Sequence, residues 1–305
     1  MAYIDTLIEK FPIRKTKAQK EKVRTWVLEE CERLGYTAQV EKKGSSNNVV
    51  IGDADSAEAI FTAHYDTPPG MPWPNFITPC NVLVYLLYQV LVVLALLVVS
   101  AGAGWVLANV TGADAVGFAA AYVIYFGVLL MMMFGPANKN NANDNTSGVA
   151  SVLETMERIP ADRRSKVAFV LFDNEEKGLL GSNAFANLHK QVKKETLLVN
   201  MDCVGLGQNI LFFAQKKARR HARYDKLTAA VNAQTGRNAE WFKMEGHMYP
   251  SDQNNFKCGI AVCSCKKAPV IGYYCDKIHT RHDTEADAGN IAFIADGLAA
   301  FVQGL

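Results

Sequence analysis

Net charge is almost absent from this chain. Its 305 residues carry 32 Lys and Arg against 30 Asp and Glu, a formal balance of +2. A dedicated nucleic-acid binder carries a clear basic excess, so that class is excluded. Disulfide-framework spacing is missing too. The seven Cys are odd in number and scattered, with no C-x-x-C pair. That excludes a small secreted scaffold and points to reduced thiols in a cytosolic setting. The opening residues Met1-Ala2-Tyr3-Ile4-Asp5 lack the basic and apolar regions of a signal peptide. Half the residues are hydrophobic and a fifth are charged, so the chain is not disordered as a whole. Its length allows two ordinary domains or one large α/β domain.

Charge of either sign is missing locally as well. The 72 residues between Asp66 and Lys139 hold one charge, Asp114. Within them, Val82 to Ala108 and Ala115 to Phe134 are uncharged and mostly apolar. As helices they would reach about 40 and 30 Å, enough to cross a hydrocarbon core of about 30 Å. The pattern predicts a transmembrane hairpin over residues 71–136, with helices about 82–108 and 115–134 and a short polar connector at Asn109 to Asp114. A hairpin buried in a soluble core and an apolar dimer interface are the competing readings. The connector has no Lys or Arg, whereas Lys139 follows the second helix. The positive-inside rule then puts both termini, and the residues outside the hairpin, in the cytoplasm. The partners expected are the lipid bilayer and, through exposed helices, a second copy of the chain. Ser100 and Gly104 have the small-xxx-small spacing that lets helices approach, although ordinary membrane-helix composition produces it too.

The remainder, residues 1–70 and 137–305, reads as one discontinuous domain. Thr16 to Leu34 predicts an amphipathic helix with Val23, Trp26, Val27 and Cys31 on one face, stopped by Gly35. Apolar strand-like runs (Ala59 to Ala63, Lys166 to Phe172, Thr196 to Met201, Ile210 to Ala214, Ile260 to Ser264, Val270 to Tyr274) alternate with helical patterns ending in Ala286 to Gln303. Strand–helix alternation predicts an α/β fold with a mostly parallel central sheet flanked by helices.

Chemistry-bearing residues gather at the ends of these strands. His64 and Asp66 follow the first run, Glu175 and Glu176 follow Lys166 to Phe172, and Asp202 follows Thr196 to Met201. Asp144 and His279 each precede a predicted helix. Ligands of open α/β sheets bind at the carboxyl ends of strands. Two imidazoles with several carboxylates suit a pair of divalent metals, one carboxylate bridging and another free as a base. Taken singly, each piece is more often a turn, a helix cap or a solvated loop.

The joint order is far more specific: H-x-D, N-D-N-x-S-G, E-E-x-G-L-x-G-S, N-x-D, then H-T-x-x-D-T. It resembles the co-catalytic di-zinc aminopeptidase family, which includes secreted bacterial aminopeptidases, glutamate carboxypeptidase, the transferrin receptor ectodomain and glutaminyl cyclase. The resemblance covers about residues 15 to 66 and 140 to 303, leaving the hairpin outside it. It implies that His64 and Asp202 hold one zinc, that Glu176 and His279 hold the other, and that Asp144 bridges them. It implies Glu175 as general base and Asp66 as the carboxylate that orients His64. Ser251 to Phe256 looks like the family's S-D-x-x-x-F segment. Cobalt or manganese would fit the same ligands. The implied activity is a membrane-anchored aminopeptidase acting on peptides. A dipeptidase, a carboxypeptidase, a glutaminyl-cyclase-like transferase and a silent scaffold remain as alternatives. One departure is Ile278, where many relatives have a Tyr beside the last ligand. Tyr273, Tyr274 or His282 are candidates to replace it, and His282 is also a lower-ranked ligand candidate. Cys258, Cys263, Cys265 and Cys275 read as reduced thiols rather than a structural zinc site. The basic run Lys216 to Lys226 suits either lipid headgroups or solvent, and the run Arg14 to Arg24 reads as a solvated face.

Overall fold

A computed structural model describes residues 2–305. Helices α1 (Tyr3–Lys10) and α2 (Lys17–Arg33) lead into strands β1 (Ala38–Lys43), β2 (Ser46–Ile51), β3 (Ala59–His64) and the short β4 (Phe76–Ile77). The long helices α3 (Val82–Thr111) and α4 (Asp114–Phe134) follow. The chain then runs α5 (Gly148–Arg158), β5 (Val167–Phe172), α6 (Leu180–Leu188), α7 (Lys190–Glu195), β6 (Leu197–Met201) and β7 (Asn209–Ala214). It ends with α8 (Tyr224–Asn232), β8 (Asn238–Lys243), β9 (Gly259–Ala268), β10 (Gly272–Asp276) and α9 (Ala288–Gln303).

The strands form one sheet in the order β1-β2-β5-β3-β6-β9-β10-β4, with β7 pairing β9 and β8. Its centre, β5-β3-β6-β9, is parallel. Away from that centre the β1, β2, β4, β7 and β10 pairings are antiparallel, and β7 and β8 run parallel to each other. The α/β fold expected from the sequence is therefore present, with its parallel pairings concentrated where the functional residues emerge.

Burial explains why the central strands read as unbroken apolar runs. Phe61 and Ala63 of β3 and Val167, Phe169 and Leu171 of β5 pack into the core beneath α1, α2, α5, α8 and α9. Their alternates Ile60, Ala168, Val170 and Phe172 pack on the opposite face with Phe185, Val192 and Phe256. A strand buried on both faces has no polar period to show. Helix α2 begins in a reciprocal cap: Gln19 N donates to Thr16 Oγ1 (3.3 Å) and Thr16 N to Gln19 Oε1 (2.9 Å). Gly35, at φ +77°, turns the chain away after it, as expected.

Helices α3 and α4 pack against each other and turn most of their apolar side chains outward. Trp105, Val110, Phe118 and Val123 are each at least 70% exposed. They are long and apolar enough to cross a membrane, and they are not buried in the chain's own core. The small residues do lie in their contact. Ser100 and Gly104 are covered, and a Cβ on Gly104 would sit 2.6 Å from the carbonyl oxygen of Gly117. The connector is shorter than expected. Asn109 and Thr111 bond back to the carbonyls of Trp105 (2.7 Å) and Leu107 (2.8 Å), and α3 continues to Thr111, capped by Gly112. At the neck, the strand leaving the sheet and the strand returning pair antiparallel. Pro69 bridges Ala137, Gly70 N donates to Pro136 O (2.9 Å), and Asn138 N to Pro68 O (3.0 Å).

The first basic stretch, expected as a solvated face, is only partly so. Arg14, Lys20 and Arg24 are buried. In the second run, Arg219 pairs with Glu245 (2.8 Å) and Arg223 with Glu58, so it is not one free helix face.

Candidate active site

Parallel pairing delivers three pieces of the site to one edge. His64 closes β3 directly opposite Phe172 of β5, and Met201 closes β6 on the other side. The turns after those strands carry Asp66, Glu175, Glu176 and Asp202. Asp144 comes from the irregular turn Ala142–Ser147 ahead of α5, and the Asp144–Asn145 peptide is cis. His279, at φ +59°, comes from the loop after β10.

All seven residues expected from the sequence meet around one cavity or directly behind it. His64 Nε2 lies 3.4 Å from Asp144 Oδ1 and 3.7 Å from Asp202 Oδ1. His279 Nε2 lies 3.0 Å from Asp144 Oδ2 and 3.3 Å from Glu176 Oε2. The two oxygens of Asp144 thus face two different imidazoles, each accompanied by a further carboxylate. Glu175 opens onto the same cavity, of about 270 Å³. Asp66 stands behind His64, with Oδ1 3.6 Å from Nδ1. Its two oxygens also accept the amides of Glu175 (3.0 Å) and Glu176 (3.3 Å). One carboxylate therefore sets an imidazole and the acidic pair together.

The electrostatics of the centre favour a cation. Burial, reinforced by Asp144, pushes the Glu176 carboxyl well above its ordinary range. Burial does the same to Glu175 against the pull of His64. Burial also opposes ionisation of Asp144, yet its two imidazoles overcome this and hold it well below the usual range. Buried Glu176 Oε1 and both carboxylate oxygens of Asp252 have no hydrogen-bond partner. Ligand atoms of His64, Asp144 and Glu176 fall within 4.8 Å of one another, as do those of His64, Glu175 and Asp202. Crowded buried acids, orphaned oxygens and a mixed N/O donor set fit divalent metal.

The supporting layer holds the Asp144 turn rigidly. Asp283 accepts the amides of Asn143 (2.7 Å) and Asp144 (2.9 Å). Asn145 donates to Met201 O (2.9 Å), and Asn143 Oδ1 accepts Gly205 N (2.7 Å). Gly148 is required, because a Cβ there would meet Asn145 Oδ1 and, at 2.5 Å, Met201 O.

Sequence reasoning missed three contributors. Arg14 is fully buried, donates to Tyr65 O (2.6 Å) and Thr146 Oγ1 (3.0 Å), and is pulled down to about 10 by burial while Asp66, Asp144 and Asp283 oppose that. It is a buried counter-charge, and in sequence it looked like one of several basic residues. Tyr249 lines the cavity with its hydroxyl donating to Asp202 O (2.8 Å). Asp252, seen only as part of a motif, is buried and raised to about 7 by burial. His282 is exposed beside Arg281 and outside the cluster. Tyr273 turns instead to Lys267 and Glu240. Ile278 itself lines the cavity. Cys203, Cys263, Cys265 and Cys275 are buried and free, packed together below it.

A mixed-sheet α/β fold with paired imidazoles and clustered carboxylates at its strand ends defines a candidate divalent-metal protein. Comparison by sequence then gives the family: the profile of peptidase family M28 matches residues 114–302, and the chain belongs to that family as a metallopeptidase. That stretch holds Asp144, Glu175, Glu176, Asp202 and His279, whereas His64 and Asp66 precede it. No curated relative matches by sequence. Solved structures share the fold. The LapA aminopeptidase of Legionella pneumophila superposes at TM-score 0.58 with 15% identity, over 99% of this chain and 67% of that one. A Zn-dependent exopeptidase from Parabacteroides distasonis gives 0.58 and 15%, over 98% and 94%. The glutaminyl cyclase of Bacteroides thetaiotaomicron gives 0.58 and 14%, over 99% and 96%.

Proposed function

We propose that this chain is a membrane-anchored di-zinc aminopeptidase that removes amino-terminal residues from peptides. The observation that carries the reading is the divided Asp144 carboxylate, one oxygen toward His64 and the other toward His279 (3.4 and 3.0 Å). His64, Asp202 and Asp144 would hold one zinc, and Glu176, His279 and Asp144 the other. When bound, the pair supplies Lewis acidity, bringing the pKa of water from about 15.7 toward 7 and polarising the scissile carbonyl. Glu175 takes the proton of the attacking water and returns it to the leaving amine. Asp66 keeps the His64 ring in orientation and, through two amides, keeps Glu175 and Glu176 in register with it. The excess of buried acid draws the cationic α-amino group of a peptide into the cavity, which selects free amino termini.

The α3–α4 hairpin, within residues 71–136, is the anchor. The connector, without Lys or Arg, lies outside, and the catalytic domain, formed by residues 1–70 and 137–305, faces the cytoplasm. The test is a panel of aminoacyl reporter substrates on detergent-purified protein, with metal analysis and Glu175→Gln on the same preparation. Two metals per chain, and cleavage abolished by chelator and by Glu175→Gln, is the expected result. Two metals with no aminoacyl cleavage overturns the aminopeptidase in favour of a dipeptidase, carboxypeptidase or glutaminyl cyclase. No metal overturns the catalytic reading altogether.

A further inference from the structure

The cavity over the proposed metal centre is not walled by the catalytic domain alone. Tyr85, Tyr88, Gln89 and Val92 of α3 and Met132 of α4 line it, together with Trp73 from the loop entering α3. The four α3 residues recur at i, i+3, i+4 and i+7, one helical face over two turns, a rise of about 10 Å. Their neighbours Leu83, Leu86, Leu87 and Val90 face outward and are exposed. One side of the same two turns is therefore apolar exterior while the other is active-site wall.

Helix packing fixes the level of this wall. Gly104 lies against Gly117. Fifteen residues back along α3 from Gly104 is Gln89, and fifteen forward along α4 from Gly117 is Met132, so these two lining residues stand level. The 21 residues of α4 rise about 32 Å, little more than a hydrocarbon core of about 30 Å. Met132, in the last turn of α4, then lies at the core boundary, where Trp and Tyr side chains accumulate. Trp73, Tyr85 and Tyr88 are the aromatic members of the wall, and Tyr88 is fixed by its ring against Phe76 (centroids 4.1 Å) and its hydroxyl on Pro74 O.

The geometry points to the membrane-proximal turns of the hairpin as the substrate-selecting wall of the site, seating a bulky apolar first residue of a peptide at the level of the lipid headgroups. This rests on the peptidase reading and names its substrate class. The metal centre would hold the amino terminus and carbonyl, while Val92, Met132 and Trp73 would surround the side chain. The wall offers no side-chain carboxylate or ammonium to a charged first residue, which would meet apolar surface and desolvation instead.

The experiment uses the full chain in lipid nanodiscs. The ratio of kcat/KM for Leu-headed over Ala-headed reporters is expected to fall about tenfold in Val92→Trp, which fills the seat. Val93→Trp, one position round the helix toward lipid, is expected to leave it unchanged. Met132→Ala, which enlarges the seat, is expected to move preference toward Phe-headed substrates. A Leu-headed peptide tethered to the disc by a short acylated linker is expected to be cleaved. An unchanged Leu-to-Ala ratio in Val92→Trp with metal content intact overturns the wall and leaves the peptidase reading standing. So does cleavage of soluble peptides with none of the tethered one. If the wild type cleaves none of these substrates, the aminopeptidase reading falls. The wall is then judged by calorimetry with uncleavable reduced-amide analogues: a Leu-over-Ala preference in Kd that Val92→Trp removes supports it, and one that survives overturns it.

Discussion

Glu175 and Glu176 are neighbours in sequence, and both are buried acids raised above their ordinary range, yet the proposed reaction gives them different work. Glu175→Gln is expected to lower kcat/KM by about 10²- to 10⁴-fold, the range of a general base, with metal content unchanged. Glu176→Gln is expected to lower metal content, read by elemental analysis. Both residues could be singled out in the sequence because the family order brackets them. Arg14 could not: a buried counter-charge and a solvated one are the same letter, and only the tertiary neighbours Asp66, Asp144 and Asp283 distinguish them. His189 carries a separate prediction far from the cavity. Burial lowers its pKa, but Asp55 (2.9 Å) and Glu41 (2.8 Å) outweigh that and raise it above 6.5. A raised imidazole stabilises the fold below its unfolded pKa, and that stability is lost as pH rises through the folded value. The Tm gap between wild type and His189→Gln is therefore expected to be widest near pH 6 and to shrink toward pH 9.

Elements with a strong period or a cap were legible, and those made by their surroundings were not. Helix α2 carries both a capping box and a terminal Gly, and β3 and β5 are continuous apolar runs. Helix α7, with only Val192 buried in its six residues, has no stripe to read. Strand β8 is a half-buried edge that pairs only with β7. The expected connector shortened because Asn and Thr, polar in isolation, return their hydrogen bonds to their own helix. The α3–α4 contact gives the prediction at this scale. Gly104→Ala or Gly117→Ala places a Cβ 2.6 Å from the opposing carbonyl, and overpacking of this kind costs about 1–3 kcal/mol. Gly127→Ala meets nothing within 4 Å. Thermal unfolding in detergent is expected to be lowered by the first two and unchanged by the third.

For the whole molecule, the proposed function supplies two external supports, metal and membrane. Stripping metal is expected to lower Tm markedly, since a ligand held at a thousand times its Kd contributes about 4 kcal/mol to the folded state. Orientation is checked with Ala113→Cys. An impermeant maleimide is expected to label it from outside intact cells, while most native thiols are buried. That the hairpin's two ends return to one side, close to the cavity, was legible from its place just after His64 and Asp66; the sheet order across its edges was not, because it depends on contacts between residues far apart along the chain. The closed neck has a consequence of its own. Where Pro69 meets Ala137, the departing and returning chains are already hydrogen-bonded, so the two ends of the intervening segment are pinned together while β4 within it remains a strand of the sheet. An exchange of α3 and α4 alone would therefore leave this junction and the β4 edge in place, yet would strip the cavity of one of its sides.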